Sequence, residues 1–280
     1  MDFARLIAIR TRYDLSVLDF LCRNSHVTPP TAPFDPASFV AAVEQRARAH
    51  GFDVARFTEI AGCPLIALTK RTPGPRPRIY LSAGIHGDEP APPLALLRLL
   101  ERGFFDQRAV WFICPMLNPT GFYHHTRENA GGFDLNRDYR LAKSAEIRAH
   151  IRWLEAQPSF DLGLCLHEDW EATGTYLYEL NPGGRISFAE PIITAIARKH
   201  PIDLALTIDG RPAQGGIIRP DGDPATRELW PEAIYLRAHH TSLNYTIETP
   251  SGHPLEERIA AQCLAVETAV SQLIATGRPS

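Results

Sequence analysis

The chain contains 280 residues, of which 44% are hydrophobic and 22% charged, a composition typical of a globular protein and unlike a disordered or fibrous one. Its 29 Lys and Arg residues against 32 Asp and Glu leave a net charge of −3, without a long basic run, which argues against nucleic-acid binding. No segment reaches the roughly 18–20 apolar residues needed to span a bilayer, so no membrane partner is expected.

The five cysteines favour a reducing compartment. They are widely separated and form no C-x-x-C pair, and Cys114 and Cys165 lie in apolar runs typical of a core strand. Charged residues interrupt the amphipathic stretch 1–22 before a signal-peptide core can form. We therefore expect a cytoplasmic protein; its oligomeric state is not predicted.

Strand-like and helix-like segments alternate through most of the chain, which predicts a layered α/β domain with helices covering a largely parallel or mixed sheet. In chain order the predicted elements are a helix at 36–50, strands at 53–60, 64–69 and 78–83, a helix at 92–102, a strand at 109–116, a helix at 144–157, strands at 162–166 and 175–180, a helix at 189–200, a strand at 244–249 and a helix at 255–275.

Three segments are not assigned to regular elements. Residues 117–143 are polar and Gly-rich, and a stretch of that length in an α/β domain is usually functional. Residues 210–223 are rich in Gly and Pro and predict a loop or flap, whereas 229–239 is ambiguous.

Two histidines mark a candidate metal site. His86 and Glu89 follow the strand 78–83 at a spacing of three residues, so a first helical turn brings both side chains to one cation. His167 ends the apolar run 162–166, and ligand crevices in open α/β sheets lie beyond the carboxyl ends of strands. Two histidines and one carboxylate leave a zinc position for water, although H-G-D-E alone fits a solvated turn with an acidic N-cap equally well. The other loop histidines (His124, His125, His239, His240, His253) are expected to have surface or hydrogen-bonding roles.

Glu248 is the candidate general base, because it ends the strand 244–249 and would face the same crevice. A carboxylate there can take a proton from water and pass it to a leaving nitrogen. Glu168, Asp169 and Glu179 remain competing candidates for the same role.

The polar loop supplies candidate cationic groups. Arg127 beside a metal would stabilise an oxyanion, and Arg137, next to Asn136, could clamp a substrate carboxylate through paired hydrogen bonds. Without further context, such loop arginines are usually just solvated.

These motifs occur in a familiar order: H-G-D-E after a strand, N-P-T-G, an arginine, G-F-D-L-N-R, a strand-ending histidine and T-I-E-T-P. In this order the chain resembles the zinc carboxypeptidase family, which includes carboxypeptidase A-like enzymes, murein peptide amidases and the succinylglutamate desuccinylase/aspartoacylase branch. The resemblance covers residues 81–250. It implies a three-layer α/β/α sandwich around a mixed, mostly parallel sheet.

The resemblance also implies roles. His86, Glu89 and His167 would bind one Zn²⁺ ion, and Arg127 would polarise the scissile carbonyl. Asn136 and Arg137 would bind the substrate carboxylate, and Glu248 would act as general base and acid. Arg140 and Arg148 are alternatives to Arg127, and no tyrosine matches the one that assists turnover in carboxypeptidases.

We therefore expect one catalytic domain over residues 1–280, with 1–75 as an extension packed on it, that hydrolyses the amide bond of a peptide or murein peptide next to a free carboxylate. An N-acyl amino acid deacylase is the close alternative, although the β-rich C-terminal domain of desuccinylases is not evident after Glu248. A non-catalytic protein that binds carboxylate ligands is the second alternative.

Overall fold

The computed structural model describes residues 34–277. The helices are α1 (Pro36–Ala49), α2 (Ala91–Glu101), α3 (Pro119–His124), α4 (Ala145–Glu155), α5 (Ala189–Ile196), α6 (Glu232–His239) and α7 (Leu255–Thr276). The strands are β1 (Asp53–Ile60), β2 (Cys63–Lys70), β3 (Arg78–Ser82), β4 (Val110–Cys114), β5 (Leu162–Asp169), β6 (Tyr176–Leu180), β7 (Thr207–Ile208), β8 (Arg211–Gln214), β9 (Ile217–Ile218) and β10 (Asn244–Pro250). Two short 3₁₀ turns lie at Leu135–Arg137 and Pro224–Thr226.

The strands form one mixed sheet in the order β1-β2-β4-β3-β5-β10-β6-β9-β8-β7. The four central strands, β4-β3-β5-β10, are parallel, so their carboxyl ends share one edge. The flanks are mostly antiparallel, with β2 on one side and β6 on the other pairing antiparallel to the centre. The predicted mixed sheet is confirmed, with parallel pairing concentrated at its centre.

Alternating side chains along the strands bury both faces of the sheet. Ile79 and Leu81 of β3 pack into a core that includes side chains of α1, α2, α5 and α7. Tyr80, between them, packs into a second core with side chains of α4 and α6. This alternation follows from the two-residue repeat of a β-strand and produces the expected three layers.

Local sequence signals set several helix ends. Asp35 caps α1, since its carboxylate accepts a hydrogen bond of 3.1 Å from the backbone of Ser38, and Pro36 occupies the first turn. Ser144 caps α4 in the same way, accepting a hydrogen bond from the Ile147 amide. Helix α2 begins directly after Glu89 and Pro90, so its first turn follows the candidate metal ligands.

Within residues 34–277, α7 is the one helix long and apolar enough to cross a membrane by length and hydropathy. It packs against α2 and α5, and Val266, Val270 and Leu273 are fully buried. This packing accounts for the apolar composition of the helix.

The structure corrects three predictions and resolves one ambiguous segment. Strand β5 continues beyond Leu166 to Asp169, because its pairing with β10 continues through His167 and Glu248, so His167 lies within the strand. The predicted loop 210–223 contains β8 and β9, which are too short and too rich in Gly and Pro to show alternation. The ambiguous segment 229–239 contains α6, and the helix predicted to reach His200 ends at Ile196.

Residues 36–70, assigned by the sequence to an extension, form α1 and two strands of the same sheet. The remainder of that predicted extension, residues 1–33, includes Cys22 and lies outside the described residues, as do residues 278–280. The other cysteines are buried free thiols.

Candidate metal-binding active site

Three buried side chains converge at the carboxyl edge of β3 and β5. His86 and Glu89 lie in the connection from β3 to α2, and His167 lies in the adjacent strand β5. Glu89 bridges the two rings, with Oε1 2.5 Å from His86 Nδ1 and Oε2 3.1 Å from His167 Nδ1. One ligand atom from each residue lies within 4.8 Å of the others, so the three meet the distance requirement for a shared metal ion.

The charges in this cluster favour an ionised carboxylate. Burial alone would raise the pKa of Glu89, but the two imidazoles outweigh it and lower that pKa to about 2. Two imidazole nitrogens and one carboxylate are the donor set of catalytic zinc sites, which keep a further position for water. The residues therefore fit the zinc ion that the sequence implies.

Asp134 contacts the candidate ligand His86, a contact that the sequence analysis missed. Its Oδ1 lies 3.3 Å from His86 Nε2, and its Oδ2 accepts a 3.0 Å hydrogen bond from Arg127 Nε. Burial would raise the pKa of Asp134, but His86, Arg127 and Arg137 together lower it. A carboxylate on the outer nitrogen fixes the ring and leaves Nδ1 for the metal. Its place in G-F-D-L-N-R was the available signal.

Glu248 lies beside the metal cluster because β10 pairs with β5 in a register that puts Glu248 opposite His167. Its half-buried carboxylate has no hydrogen-bond partner among residues 34–277. Burial, reinforced by the charges of Glu89 and Asp169, raises its pKa to about 8 despite opposing contributions from His167 and Arg127. A carboxyl group with a pKa near neutrality suits proton transfer in both directions.

The competing carboxylates are engaged elsewhere. Glu168 contacts Arg258 and accepts a 2.9 Å hydrogen bond from the Ala91 amide. Asp169 accepts 2.8 Å hydrogen bonds from the Tyr176 hydroxyl and the Glu171 amide, and Glu179 accepts bonds from Tyr245 and Arg219. Glu248 is therefore the acid among the four candidates best placed to act on a substrate.

Arg127 lies over the metal ligands. Its Nη1 is 3.4 Å from His86 Nδ1 and 3.9 Å from Glu89 Oε1. The alternatives are directed elsewhere, since Arg140 donates a 2.5 Å hydrogen bond to the Arg227 carbonyl and Arg148 donates to carbonyls near its own helix.

Asn136 and Arg137 occupy the 3₁₀ turn that follows Asp134. Asn136 is buried, and its Oδ1 accepts a 2.9 Å hydrogen bond from the Glu232 amide, which fixes the turn against α6. Arg137 is exposed and donates a 2.8 Å bond to the Asn136 carbonyl. The guanidinium group therefore remains accessible to a solute anion.

Two further arginines extend this positive region and were not selected from the sequence. Burial lowers the pKa of Arg227, and the nearby charges of Arg211 and Arg137 lower it further. Arg211 begins β8, within the segment predicted to be a loop. Their lack of a local motif explains why the sequence did not indicate them.

The H-G-D-E and N-P-T-G motifs are in direct contact. The Gly87 amide donates a 2.9 Å hydrogen bond to the Thr126 carbonyl. The Asn118 side chain donates 3.2 Å bonds to the carbonyls of Ile85 and Arg127 and accepts a 2.8 Å bond from the Gly121 amide. Asn118 thus joins the segment carrying His86 to the segment carrying Arg127.

This fold and these residues define the class of α/β metallohydrolases similar to zinc carboxypeptidases. Over residues 75–274 the sequence matches the succinylglutamate desuccinylase/aspartoacylase catalytic domain, and the chain belongs to that family. No curated protein gives a significant match.

Solved structures share the fold over most of the chain. A candidate metallopeptidase from Shewanella amazonensis SB2B is 27% identical with a TM-score of 0.74, covering 84% of this chain and 92% of that one. Its counterpart from Shewanella baltica OS155 is 24% identical with a TM-score of 0.73, covering 84% and 91%. A Pseudomonas aeruginosa metallo-carboxypeptidase in complex with (2-guanidinoethylmercapto)succinic acid is 19% identical with a TM-score of 0.62, covering 85% and 69%.

Proposed function

We propose that the protein is a zinc-dependent hydrolase that cleaves an amide bond next to a residue with a free carboxylate, in a peptide or murein peptide. The observation that carries this proposal is the position of Glu248 opposite His167, at the edge of the His86–Glu89–His167 cluster. A bound Zn²⁺ would acidify a water molecule and polarise the scissile carbonyl.

Side chains of the protein carry out the remaining steps. Glu248 takes a proton from the attacking water and delivers it to the leaving nitrogen. Arg127 stabilises the negative charge that develops on the carbonyl oxygen. Asn136 and Arg137 hold the substrate carboxylate, so that the bond to be cleaved lies between them and the metal ligands.

The arginine group around Arg137 supports a substrate with more than one negative charge. Arg211 and Arg227 add guanidinium groups whose repulsion is partly offset by Asp209, and a dicarboxylate would relieve the remainder. Peptides with an acidic terminal residue are therefore the first substrates to test. We place this activity in the cytoplasm, consistent with the four buried free thiols.

The family match favours a second candidate, hydrolysis of N-acyl amino acids. The same residues would serve, with the acyl group in place of the peptide. Amino acid release from a panel of peptides, compared with N-succinyl and N-acetyl amino acids, separates the two candidates. Full zinc occupancy without hydrolysis of either class would instead indicate the non-catalytic carboxylate-binding protein.

Glu248→Gln tests the mechanism. The variant should bind zinc as the wild type does but lose turnover by about 10²–10⁴-fold, because glutamine cannot exchange the proton. Glu59→Gln makes the same chemical change at an exposed position of β1 and should leave both properties unchanged. Near-wild-type turnover of Glu248→Gln on a confirmed substrate would exclude the assigned role.

A further inference from the structure

A second cluster of potential metal ligands lies outside the active-site cluster. His200 follows α5, His253 lies between β10 and α7, and Glu257 is in the first turn of α7. The two imidazole rings are 5.0 Å apart between centroids, and His253 Nδ1 lies 4.0 Å from Glu257 Oε2. One ligand atom from each residue lies within 4.8 Å of the other two.

His200 contributes a buried nitrogen that has no hydrogen-bond partner among the described residues. Its side chain is buried, and Nδ1 lies 2.9 Å from Thr175 Oγ1 and 3.3 Å from the Pro201 carbonyl oxygen. The tautomer with the proton on Nδ1 donates to the Pro201 carbonyl and leaves a lone pair on Nε2, whereas in the other tautomer Nδ1 accepts from Thr175 Oγ1. Metal binding at Nε2 selects the first tautomer. Within residues 34–277 that buried Nε2 has no partner. A buried polar atom of this kind calls for a ligand, and the Nδ1 contact is the one that metal-binding histidines make with backbone.

The surrounding charges favour a cation. Glu257 contributes a negative charge, and the adjacent Arg258 is already occupied by Glu168 and by the His253 carbonyl, to which its Nε donates at 2.8 Å. Glu256, on the same turn, binds Arg98 at 2.8 Å. The Glu257 carboxylate thus supplies the negative charge of the cluster, while the nearby Arg258 cation, which disfavours a charged His200, is paired with Glu168.

We propose that His200, His253 and Glu257 form a second site for a divalent transition-metal ion of the zinc class. Ligand atoms on a tetrahedral zinc are separated by about 3.4 Å, given bonds of about 2.0–2.1 Å. The cluster reaches this spacing by small rotations of His253 and Glu257, which are partly exposed, toward the fixed His200. The sequence predicts only a surface or hydrogen-bonding role for His253.

The bound ion has a structural consequence. It ties the segment after Glu248 and the start of α7 to the end of α5. Three protein ligands at a partly exposed position leave an exchangeable coordination site, so this ion dissociates more readily than one held by the buried active-site cluster.

Zinc content of the full chain tests the proposal. After equilibration with micromolar buffered Zn²⁺, elemental analysis should find two equivalents in the wild type and one in His253→Ala or Glu257→Gln. His50→Ala removes a histidine near the opposite edge of the sheet and should retain two. Circular dichroism establishes that each variant is folded, and the partly exposed Glu257 makes its substitution the least disruptive of the set.

The active-site variant His86→Ala isolates the second site. It should retain one equivalent and show a zinc-dependent rise in Tm, and adding His253→Ala should abolish both. The proposal is overturned if wild-type protein binds one ion that His86→Ala removes, which would assign the His200 nitrogen to a water. Two equivalents in both folded His253→Ala and folded Glu257→Gln would overturn it equally. Neither result depends on whether the enzyme hydrolyses the proposed substrates.

Discussion

The close contact between the H-G-D-E and N-P-T-G motifs requires glycine at position 87. A Cβ atom on residue 87 would lie 1.8 Å from the Gly121 carbonyl carbon and 2.2 Å from the Phe122 nitrogen. Both neighbours are backbone atoms, so no side-chain rotation relieves the overlap. Gly87→Ala therefore forces one segment away from the other.

The size of the effect follows from these distances. Ordinary contact begins at 3.4 Å, so the two segments must separate by about 1.6 Å. Overpacking of this kind costs about 3 kcal/mol, at the upper end of the usual range. At roughly 2–4 °C per kcal/mol for a domain of this size, we expect Tm to fall by roughly 6–12 °C.

The same displacement affects the metal site, because His86 precedes Gly87 and Glu89 follows two residues later. Zinc ligands tolerate deviations of about 0.2 Å, so zinc affinity should fall by about 100-fold or more. Chelator competition, performed well below the variant's Tm, measures this loss separately from unfolding. Gly252→Ala is the control, since its Cβ meets nothing within 4 Å. If Gly87→Ala kept a wild-type Tm and zinc affinity, the close backbone contact would not exist.

Three further results are expected. Asp134→Asn should weaken zinc binding by about 10- to 100-fold in chelator competition, because the amide orients His86 less well, and an unchanged affinity would remove Asp134 from the site. Arg137→Ala should raise KM by about 10- to 100-fold with little change in kcat, and a KM effect equal on neutral substrates would contradict carboxylate binding. Burial, aided by His240, lowers the pKa of His150 to about 3, so stability is lost as pH falls below the unfolded value near 6.5. Urea unfolding should show about 2 kcal/mol lost from this group between pH 7.5 and 5, and His150→Gln should lack that portion.

The local features of the sequence predicted the layers and most of the central strands. The continuous apolar runs in 78–83 and 162–166 indicate burial on both faces, and the parallel arrangement follows from intervening helices. Their shared edge was enough to predict that His86 and His167 meet. The short strands β7, β8 and β9, at one end of the sheet, could not be predicted. Strands of two to four residues are defined by their partners rather than by their own periodicity.

The contacts between individual residues of the site were harder to predict from the sequence. The motif containing Asp134 was visible, but its contact with His86 joins residues 48 positions apart and depends on how the polar loop folds back. The positive region formed by Arg137, Arg211 and Arg227 has no spacing rule, since its members come from a 3₁₀ turn, an edge strand and a loop. Such residues can be identified only once the fold that brings them together is known.

A buried polar network positions the 3₁₀ turn Leu135–Arg137. Asn136 Oδ1 accepts from the Glu232 amide, while the Glu232 carboxylate accepts 2.6 and 2.8 Å hydrogen bonds from Tyr80 and Ser82 of β3. Because Tyr80 donates to Glu232, its oxygen is left to accept from His150 Nε2 at 3.0 Å, which places a ring proton on Nε2.

Protonation of His150 would disrupt a second contact besides the one with Tyr80. Its Nδ1 accepts a 2.7 Å hydrogen bond from Tyr139, near the turn that carries Arg137, and a second proton on the ring removes that acceptor. Because the pKa of His150 in the folded protein is about 3, the ring stays neutral during mild acidification, and the acid sensitivity arises because the unfolded chain takes up the proton. These contacts should therefore be lost together with the rest of the fold rather than before it.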